Sequence, residues 1–403
     1  MFARLLKLIA IMFSACFFFL ETIATPHHGF EWPETLQIHG FASQAFILTS
    51  DNRFFGDSET GSSDFRELGL NLSIRPIPDL QFSIQGLSRW AGEANNGDLR
   101  LDYGFLDYSL VGNESGTLGL RIGRVKNPLG FYNDTRDVAF TRPSIFLPQS
   151  IYFDRTRNLA LSSDGINIYT EYRRDLGNTF FELAVSFPQV DNRETELAFL
   201  GPRAPELGHL NPRLSYTSRL IFEPAGGQMR FSLSGALVNI KFEPASPGIQ
   251  KGDIHFRPLI LSAQYNAEFW SLTSEYALRY SKFEDVGGPS FSVTGESYYL
   301  QGSYHLLDNL EALLRYDVLY QNREDRSGAQ FAADPRSGGK PGHTRFAKDW
   351  TVGLRWNMTS SWMSRIEYHY VDGTGWLPLL DNPAPAETDR YWHLFALLIS
   401  YRF

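Results

Sequence analysis

The chain has 403 residues, a single cysteine and a formal net charge of −8 at pH 7. An acidic chain of this kind excludes a nucleic-acid-binding protein by bulk charge, and a lone cysteine excludes a disulfide framework. Aromatic residues make up 15% of the chain, yet no run beyond the N-terminus approaches the roughly 18 apolar residues that a membrane-spanning helix needs.

Residues 1–24 have the pattern of a secretory signal peptide. Two basic residues precede the apolar stretch 8–20, and small residues follow it near Ala24. At about 13 residues, the apolar stretch is short for a spanning helix. A lipoprotein signal centred on Cys16 is the alternative, although three phenylalanines follow that cysteine where a polar tether is usual. We therefore predict export with cleavage near Ala24, which leaves no cysteine in the mature chain.

Sixteen segments alternate apolar and polar side chains with the two-residue period of β-strands. In segment 65–75, for example, Leu68, Leu70 and Leu72 alternate with Glu67 and Asn71. The predicted strands are 36–48, 65–75, 80–90, 99–111, 117–126, 164–174, 180–187, 213–222, 229–237, 256–266, 270–280, 298–306, 310–320, 349–358, 362–371 and 389–403. Most are long enough to cross the apolar core of a membrane when tilted. A parity change near Asp107 predicts a bulge in strand 99–111.

The connections between these strands alternate strictly between short and long. Seven short connections are rich in turn residues, and eight longer segments lie between them: 49–64, 91–98, 127–163, 189–211, 243–255, 283–295, 322–348 and 372–388. A membrane barrel with both termini on the periplasmic side has short periplasmic turns and long external loops in this order. The sequence therefore predicts an all-β protein, a transmembrane antiparallel up-and-down β-barrel of about 16 strands. It would span residues 25–403 and contact outer-membrane lipid in a bacterial outer membrane.

In the last predicted strand, every second position after His393 has an apolar or aromatic side chain, from Phe395 to Phe403. An unpaired apolar edge of this kind promotes aggregation, so we expect the strand to pair with the first and close the barrel, its apolar face on lipid. A C-terminal phenylalanine behind alternating apolar residues resembles the assembly signature of bacterial outer-membrane barrels. The resemblance implies that Phe403 is recognised by the barrel-assembly machinery.

The longest connection, 127–163, is the third external loop. The whole 16-strand layout resembles the porin family, in which the third loop folds into the barrel and forms the constriction. Charged residues of this loop lie among aromatic and apolar residues, and we expect them to pack against the inner wall; a solvated surface loop is the alternative. The charged residues are Asp134, Arg136, Asp137, Arg142, Asp154, Arg155 and Arg157.

The stretch RIGRVKNPLGFYN (121–133) is similar to a motif of the phosphate-selective porin family, where an Arg-x-Gly-x-x-Lys-x-Pro-x-Gly stretch precedes the inward loop. The matching positions are Arg121, Gly123, Lys126, Pro128 and Gly130. The resemblance covers residues 121–170. Elsewhere the chain departs from that family, because it has no dense lysine cluster and is acidic overall, and phosphate specificity is not carried over.

Strand parity also predicts which charged residues face the barrel interior. The inward basic residues are Arg75, Arg89, Arg100, Arg121, Arg173, Arg213, Arg219, Arg230, Arg279, Arg315, Arg355 and Arg365, and the inward acidic residues are Glu67, Asp102, Glu171, Glu182, Glu275, Glu311, Asp317 and Glu367. An excess of arginine in a narrow water-filled channel raises the local anion concentration, which predicts a weak anion preference. Mutual salt bridging of the wall residues is the alternative.

The function that these features predict is passive diffusion of small hydrophilic solutes or anions through a water-filled channel. The candidate constriction and pore-lining residues are Arg89, Arg121, Lys126, Asp134, Arg136, Asp137, Arg142, Asp154, Arg155, Arg157 and Arg315. No catalytic motif or metal-ligand spacing is present, so we predict neither an enzyme nor a cofactor. The porin resemblance implies a homotrimer. A non-conducting recognition or adhesin barrel is the alternative, because segments 189–211 and 322–348 are long and polar.

Overall fold

The computed structural model describes residues 35–201 and 204–403, so the predicted signal peptide at 1–24 lies outside the described residues. Seventeen strands form one antiparallel sheet. They are β1 (Gln37–Thr49), β2 (Ser62–Ile77), β3 (Leu80–Ala91), β4 (Asn95–Asn113), β5 (Gly116–Lys126), β6 (Ser162–Arg174), β7 (Gly177–Pro188), β8 (Gly208–Pro212), β9 (Ser215–Pro224), β10 (Met229–Pro244), β11 (Gly252–Asn266), β12 (Trp270–Glu284), β13 (Phe291–Leu307), β14 (Leu310–Tyr320), β15 (Phe346–Asn357), β16 (Trp362–Gly373) and β17 (Tyr391–Arg402).

The sheet closes on itself as a barrel of sixteen strand positions. Strands β8 and β9 pair with successive parts of the same neighbour, β10, and occupy one position together. Strand β1 pairs with β2 on one side and with β17 on the other. Beyond β17, Phe403 and Gly40 exchange two backbone hydrogen bonds, of 3.2 and 3.1 Å. The predicted 16-stranded antiparallel barrel, closed by its last strand, is confirmed.

The two faces of the strands differ as the alternation predicts. On β2, Leu68, Leu70 and Leu72 are exposed on the outer face, whereas Glu67 on the inner face is fully buried. Burial in β17 alternates in the same way, with Phe395 exposed and Leu394 buried. An apolar exterior suits lipid, and a polar interior suits water. Within the described part of the chain, no helix is long and apolar enough to cross a membrane.

Short helices occur only in the long connections of the described chain. The α-helices are α1 (Arg157–Leu161), α2 (Arg193–Leu200), α3 (Ala204–Leu207) and α4 (Ala329–Ala333), and single 3₁₀ turns are Asn133–Thr135, Ala139–Thr141, Asp154–Thr156, Pro335–Ser337, Gly342–Arg345 and Pro385–Glu387. Helix α2 begins after Asn192, whose side-chain oxygen accepts a 2.9 Å hydrogen bond from the backbone N–H of Thr195. That bond satisfies one of the free N–H groups at the start of the helix.

Two details of strand β4 differ from the prediction. The bulge that reverses its parity lies at Asp102 and Tyr103, because Gln85 aligns with Tyr103 while the next residue, Gly86, aligns with Leu101. Asp102 and Tyr103 therefore both face the interior, and this parity change comes before Asp107. Another register shift, in the pairing with β5, lies between Ser109 and Val111, just after the predicted position. The predicted external segment 91–98 is also shorter in the structure, since β3 continues to Ala91 and β4 begins at Asn95.

Part of the barrel interior is filled by an apolar core. The inner faces of β1 and β17 are mostly apolar, and β16 adds Met363 and Val371 at the two ends of its inner face. Residues from three long connections cover these faces. The buried members are Ala45, Ile47, Phe54, Phe55, Phe65, Ala91, Ala139, Phe140, Ile145, Phe146, Ala347, Met363, Val371, Trp376, Leu377, Trp392, Leu394, Ala396 and Leu398. This core explains why β17 is apolar on both faces.

Candidate functional site: the third long connection inside the barrel

The third long connection, residues 127–161 and called loop 3 below, folds into the barrel. Its backbone contacts wall residues on distant strands. The N–H of Gly130 donates to Ser234 of β10 at 2.9 Å, and the carbonyl oxygen of Phe140 accepts from Arg355 of β15 at 3.3 Å. Loop 3 therefore packs against the inner wall, as its apolar residues predict.

Arginines on one side of the wall hold the carbonyl groups of loop 3. Four strands, β12, β14, β15 and β16, each contribute one. The bonds are Arg279 to Ser150 at 2.6 Å, Arg315 to Phe146 at 3.1 Å, Arg355 to Phe140 at 3.3 Å and Arg365 to Ser144 at 2.7 Å. Guanidinium groups suit this role because each offers five N–H donors and stays charged. Among the described residues, no carboxylate forms a salt bridge with any of these four arginines.

Carboxylates on the same wall accept the N–H groups of loop 3. Glu275 accepts from the backbone N–H of Phe131 at 3.0 Å and from the hydroxyl of Tyr152 at 2.7 Å. Glu367 accepts from the backbone N–H of Ile145. Asp317 accepts from that of Ser150 at 3.3 Å. Such charge-assisted bonds are stronger than neutral ones, and they compensate the burial of a segment that has little regular structure of its own.

Five buried charged residues form a group that we call the Glu67 cluster: Glu67, Arg89, Arg136, Arg142 and Asp154. Glu67 contacts the guanidinium groups of Arg89 and Arg142, at 3.3 and 2.9 Å. Asp154 contacts Arg89 at 3.0 Å and Arg136 at 3.8 Å. Three arginines thus share two carboxylates, and the cluster joins β2 and β3 to both halves of loop 3.

A second group, the Lys126 cluster, lies at the start of loop 3. The ammonium group of Lys126 contacts Asp102 of β4 at 2.5 Å and Asp137 of loop 3 at 2.6 Å. Arg157 of α1 also contacts Asp137. The bulge in β4 explains the position of Asp102, because it lets that carboxylate face the interior beside Tyr103. The cluster ties the two ends of loop 3 to each other and to the wall.

Two interior cavities lie on opposite sides of loop 3. The turn-side cavity, about 650 Å³, is lined by residues near the short turns, including Arg121, Lys126 and Asp134. The loop-side cavity, about 350 Å³, lies among the long connections and includes Arg136 and Arg155 in its lining. The other candidate residues line neither cavity: Arg89, Asp137, Arg142, Asp154, Arg157 and Arg315.

Charges in the turn-side cavity are paired. Arg121 contacts Asp107 at 2.9 Å and lies 4.3 Å from the ring centre of Tyr169. Asp134 contacts Arg219 at 2.6 Å, and the same arginine contacts Glu182 at 2.5 Å. In this part of the interior the wall charges therefore neutralise each other, as the alternative interpretation of the sequence predicts.

Arg155 differs from the other charged residues of loop 3. Its Nε atom donates to the carbonyl oxygen of Leu377 at 2.6 Å, and within the described ranges no carboxylate forms a salt bridge with it. Burial, with the positive charge of Arg345 as a second cause, lowers the pKa of Arg155 to about 9. A half-buried cation without a carboxylate partner is costly, so the surroundings of Arg155 favour an anion.

Several residues that position loop 3 are absent from the predicted set. Glu67, Glu275, Asp317 and Glu367 are inward by parity, but the prediction does not assign them to the site. An inward carboxylate facing a segment that itself turns inward is a signal for contacts with the backbone N–H groups or the arginines of that segment, and it would have identified these residues. His369 is also missed; it lies between Asp349, at 2.9 Å, and Glu367, at 3.4 Å.

No protein-family model and no curated protein matches the sequence. Solved structures do match. DcaP, an outer membrane channel of Acinetobacter baumannii, is 14% identical, with a TM-score of 0.58 over 93% of this chain and 99% of that one. An anion-selective porin from Comamonas acidovorans is 14% identical, with a TM-score of 0.53 over 91% and 99%. In-vitro folded OmpT of Vibrio cholerae, in a trimer form, is 12% identical, with a TM-score of 0.57 over 92% and 99%. At these identities the likeness shows the fold, an outer-membrane porin-type β-barrel.

Proposed function

We propose that this protein is an outer-membrane porin, a water-filled channel for passive diffusion of small hydrophilic solutes. The observation that carries the proposal is a closed sixteen-position barrel with an apolar exterior, whose interior retains a cavity on each side of loop 3. A barrel of this size encloses more volume than its own side chains fill. The proposed transport requires neither a cofactor nor a catalytic residue, because no bond is made or broken.

In this proposal loop 3 sets the size limit of the channel. Its buried charged residues hold the loop in place, whereas Arg121, Lys126, Asp134, Arg136 and Arg155 face the cavities through which a solute would pass. Opposite charges on the two sides of a narrow passage orient dipolar solutes. The Glu67 and Lys126 clusters thus act as anchors of the proposed constriction. The cavity-facing residues act on the solute, and Lys126 and Arg136 belong to both groups.

Reconstitution into a planar lipid bilayer tests the proposal. We expect discrete single-channel steps in KCl and, across a salt gradient, a reversal potential showing a weak anion preference, because arginines without carboxylate partners line the loop-side cavity. Absence of conductance steps from correctly folded protein would contradict the porin function. A cation-directed reversal potential would contradict only the anion preference. Phosphate specificity is not part of the proposal.

The remaining expectations concern targeting and assembly. We propose that residues 1–24 direct export and that Phe403 is the element recognised by the barrel-assembly machinery. We also propose a homotrimer; the solved trimer form of OmpT with the same fold supports this choice. Cross-linking and sedimentation of the detergent-solubilised protein would test the trimer. Expression with Phe403 replaced by Ser would test assembly, with a reduced amount of folded barrel in the membrane as the expected result.

A non-conducting recognition barrel is the second candidate function. Loop 3 is held from many sides of the barrel, which favours this second candidate. Contacts reach the loop from β2, β3, β10, β12, β14, β15 and β16. A loop so firmly held could close the interior. The bilayer recording separates the two candidates, because a closed barrel gives no conductance steps.

A further inference from the structure

The charged residues that line the loop-side cavity are all positive. Four arginines line it, Arg136, Arg155, Arg279 and Arg345, and no aspartate or glutamate is among its described lining residues. By contrast, the turn-side cavity has four basic and four acidic lining residues: Arg121, Lys126, Arg219 and Arg230 with Asp134, Glu171, Glu182 and Glu223. An excess of positive charge is therefore confined to the cavity nearer the long connections.

The partners of these arginines leave their positive charge largely uncompensated. Arg155 donates to the carbonyl of Leu377 at 2.6 Å, and Arg279 donates to the carbonyl of Ser150 at 2.6 Å. The guanidinium of Arg345 lies 4.5 Å from the ring centre of Phe331. Hydrogen bonds to carbonyl groups and a ring contact stabilise a guanidinium group without cancelling its charge, and among the described residues none of these three arginines has a salt bridge.

The positive charge of Arg136 is also poorly balanced by carboxylates. Its nearest carboxylate, Asp154, is 3.8 Å away and is held at 3.0 Å by Arg89. Its Nε atom is buried and has no hydrogen-bond partner among the described residues. A buried donor without an acceptor is unfavourable, so the positive charge of Arg136 is only partly compensated.

The rest of the lining is apolar and aromatic. Phe199 of α2 meets Phe283 in a tilted arrangement at a ring separation of 6.3 Å, and Phe283 stacks on Phe291 at 4.6 Å. Tyr152 and Phe153 of loop 3 form part of the opposite side. A small hydrated anion gains little from such surfaces, whereas a flat apolar group gains both burial and ring contacts. The volume of about 350 Å³ falls at the lower end of the range for small-molecule sites.

We propose that the loop-side cavity is a binding site for solutes that carry a carboxylate on a flat apolar body of about the size of one aromatic ring. Arg155 and Arg345 bind the carboxylate, because guanidinium groups match its geometry, and Phe199, Phe283 and Phe291 contact the apolar body. This proposal rests on the proposed porin function: the site concentrates such solutes before they pass loop 3. Binding must be weak enough for release, as conduction requires.

The test uses single-channel recording with benzoate as the probe. Added on the side of the long loops, benzoate should interrupt the KCl current in a concentration-dependent manner. Acetate carries the charge without the ring, and benzamide carries the ring without the charge, so both should require at least tenfold higher concentration for the same effect. Equal potency of acetate or of benzamide with benzoate would overturn the proposal.

Variants locate the site. Arg155→Gln combined with Arg345→Gln should weaken the benzoate effect at least tenfold. Phe199→Ala should weaken the benzoate effect but leave the weak acetate effect unchanged. Arg213→Gln is the control, because Arg213 is an exposed arginine that lies outside the cavity lining and contacts Asp253 at 4.0 Å. An unchanged benzoate effect in the double variant, with folding verified by circular dichroism, would overturn the proposal.

Equilibrium dialysis of radiolabelled benzoate against the detergent-solubilised protein separates this proposal from the porin function. Saturable binding that the Arg155 and Arg345 substitutions weaken, in a protein without conductance, would refute the porin function and keep the site. Conductance without benzoate binding, measured either by dialysis or by current block, would refute the site and keep the porin function.

Discussion

The guanidinium of Arg365 donates a 2.7 Å hydrogen bond to the backbone carbonyl of Ser144, which is 221 positions earlier in the chain. A second donor of the same side chain contacts the carbonyl of Arg142. One wall arginine therefore fixes two carbonyl groups of loop 3. The arginines on strands β12 to β16 hold the backbone of loop 3 in place, in addition to any effect of their charge on solutes.

Replacing Arg365 with Gln should loosen loop 3. Because hydrogen bonds to charged groups each contribute about 1.5 to 3 kcal/mol, we expect the free energy of unfolding to fall by that order. The single-channel conductance should rise and become noisier, since the segment near Ser144 is less restrained. Bilayer recording and urea unfolding in detergent micelles measure the two effects.

Arg75→Gln is the control for this experiment. Arg75 is also inward, but it is exposed, and its side chain donates to Gln81 at 2.9 Å rather than to loop 3. We expect wild-type conductance and stability from this variant. An equal change of conductance in both variants would show that the wall charge, and not the position of loop 3, determines the current.

Replacing Glu67 with Gln should be strongly destabilising. The substitution leaves Arg89 and Arg142 buried with less compensating charge, and breaking a buried charge cluster in this way typically costs about 3 to 5 kcal/mol. Thermal unfolding followed by circular dichroism in micelles measures the loss. Glu171→Gln is the matched control, because its partner Arg173 is well exposed and exposed pairs contribute less than about 1 kcal/mol. Similar losses from both substitutions would contradict the account.

Much of the barrel is predictable from the sequence because the pattern that produces it lies within each strand. Each strand places alternate side chains on lipid and in the interior, so the exposed Leu68 and Leu70 and the inward Glu67 follow from their positions. The short turns and long connections follow from the same alternation. The predicted bulge near Asp107 falls between two register shifts of β4, one at Asp102 and Tyr103 and one between Ser109 and Val111. Its exact place is hidden in the sequence because an extra residue in one strand is visible only in its register with the neighbouring strand.

The contacts of loop 3 could not be predicted because they join distant parts of the chain. Glu275 accepts the N–H of Phe131 across 144 positions, and Arg89 contacts Asp154 across 65. Parity places these charges in the interior but does not say which of them meet. Arg155 shows the limit most clearly: its sequence context is similar to that of Arg157, yet only Arg157 has a carboxylate partner within the described residues.

Asp381 should make the stability of the external connections depend on pH. Its carboxylate accepts hydrogen bonds from the backbone N–H groups of Glu93, at 3.0 Å, and Gly56, at 3.4 Å, and thus joins three connections. Burial raises the pKa of Asp381 from 3.8 to about 6. The folded protein then binds more protons than the unfolded chain between those two values. The free energy of unfolding should therefore fall by about 2 to 3 kcal/mol as the pH rises from 4 to 6.

Asp381→Asn isolates this contribution, because an amide oxygen still accepts the N–H groups but cannot ionise. We expect its urea midpoint to vary less between pH 4 and pH 6 than that of the wild type. Asp57→Asn serves as the control, since the side chain of Asp57 is exposed on the first long connection. A wild-type pH dependence in the Asp381→Asn variant would contradict the assignment.

Gly165 sits where β6 leaves loop 3, and it has no room for a side chain. A Cβ atom there would lie 2.6 Å from Cα of Ser186 and would also overlap the carbonyl oxygen of Val185, so the backbone of β7 would have to move. Overpacking of this kind costs about 1 to 3 kcal/mol, and we expect that loss from Gly165→Ala in thermal unfolding. Gly302→Ala is the matched control in β13, because the nearest atom to its Cβ, the carbonyl oxygen of Ser271, is 3.9 Å away; it should be neutral or slightly stabilising. Equal stability of the two variants would show that β7 can move away from β6 without cost.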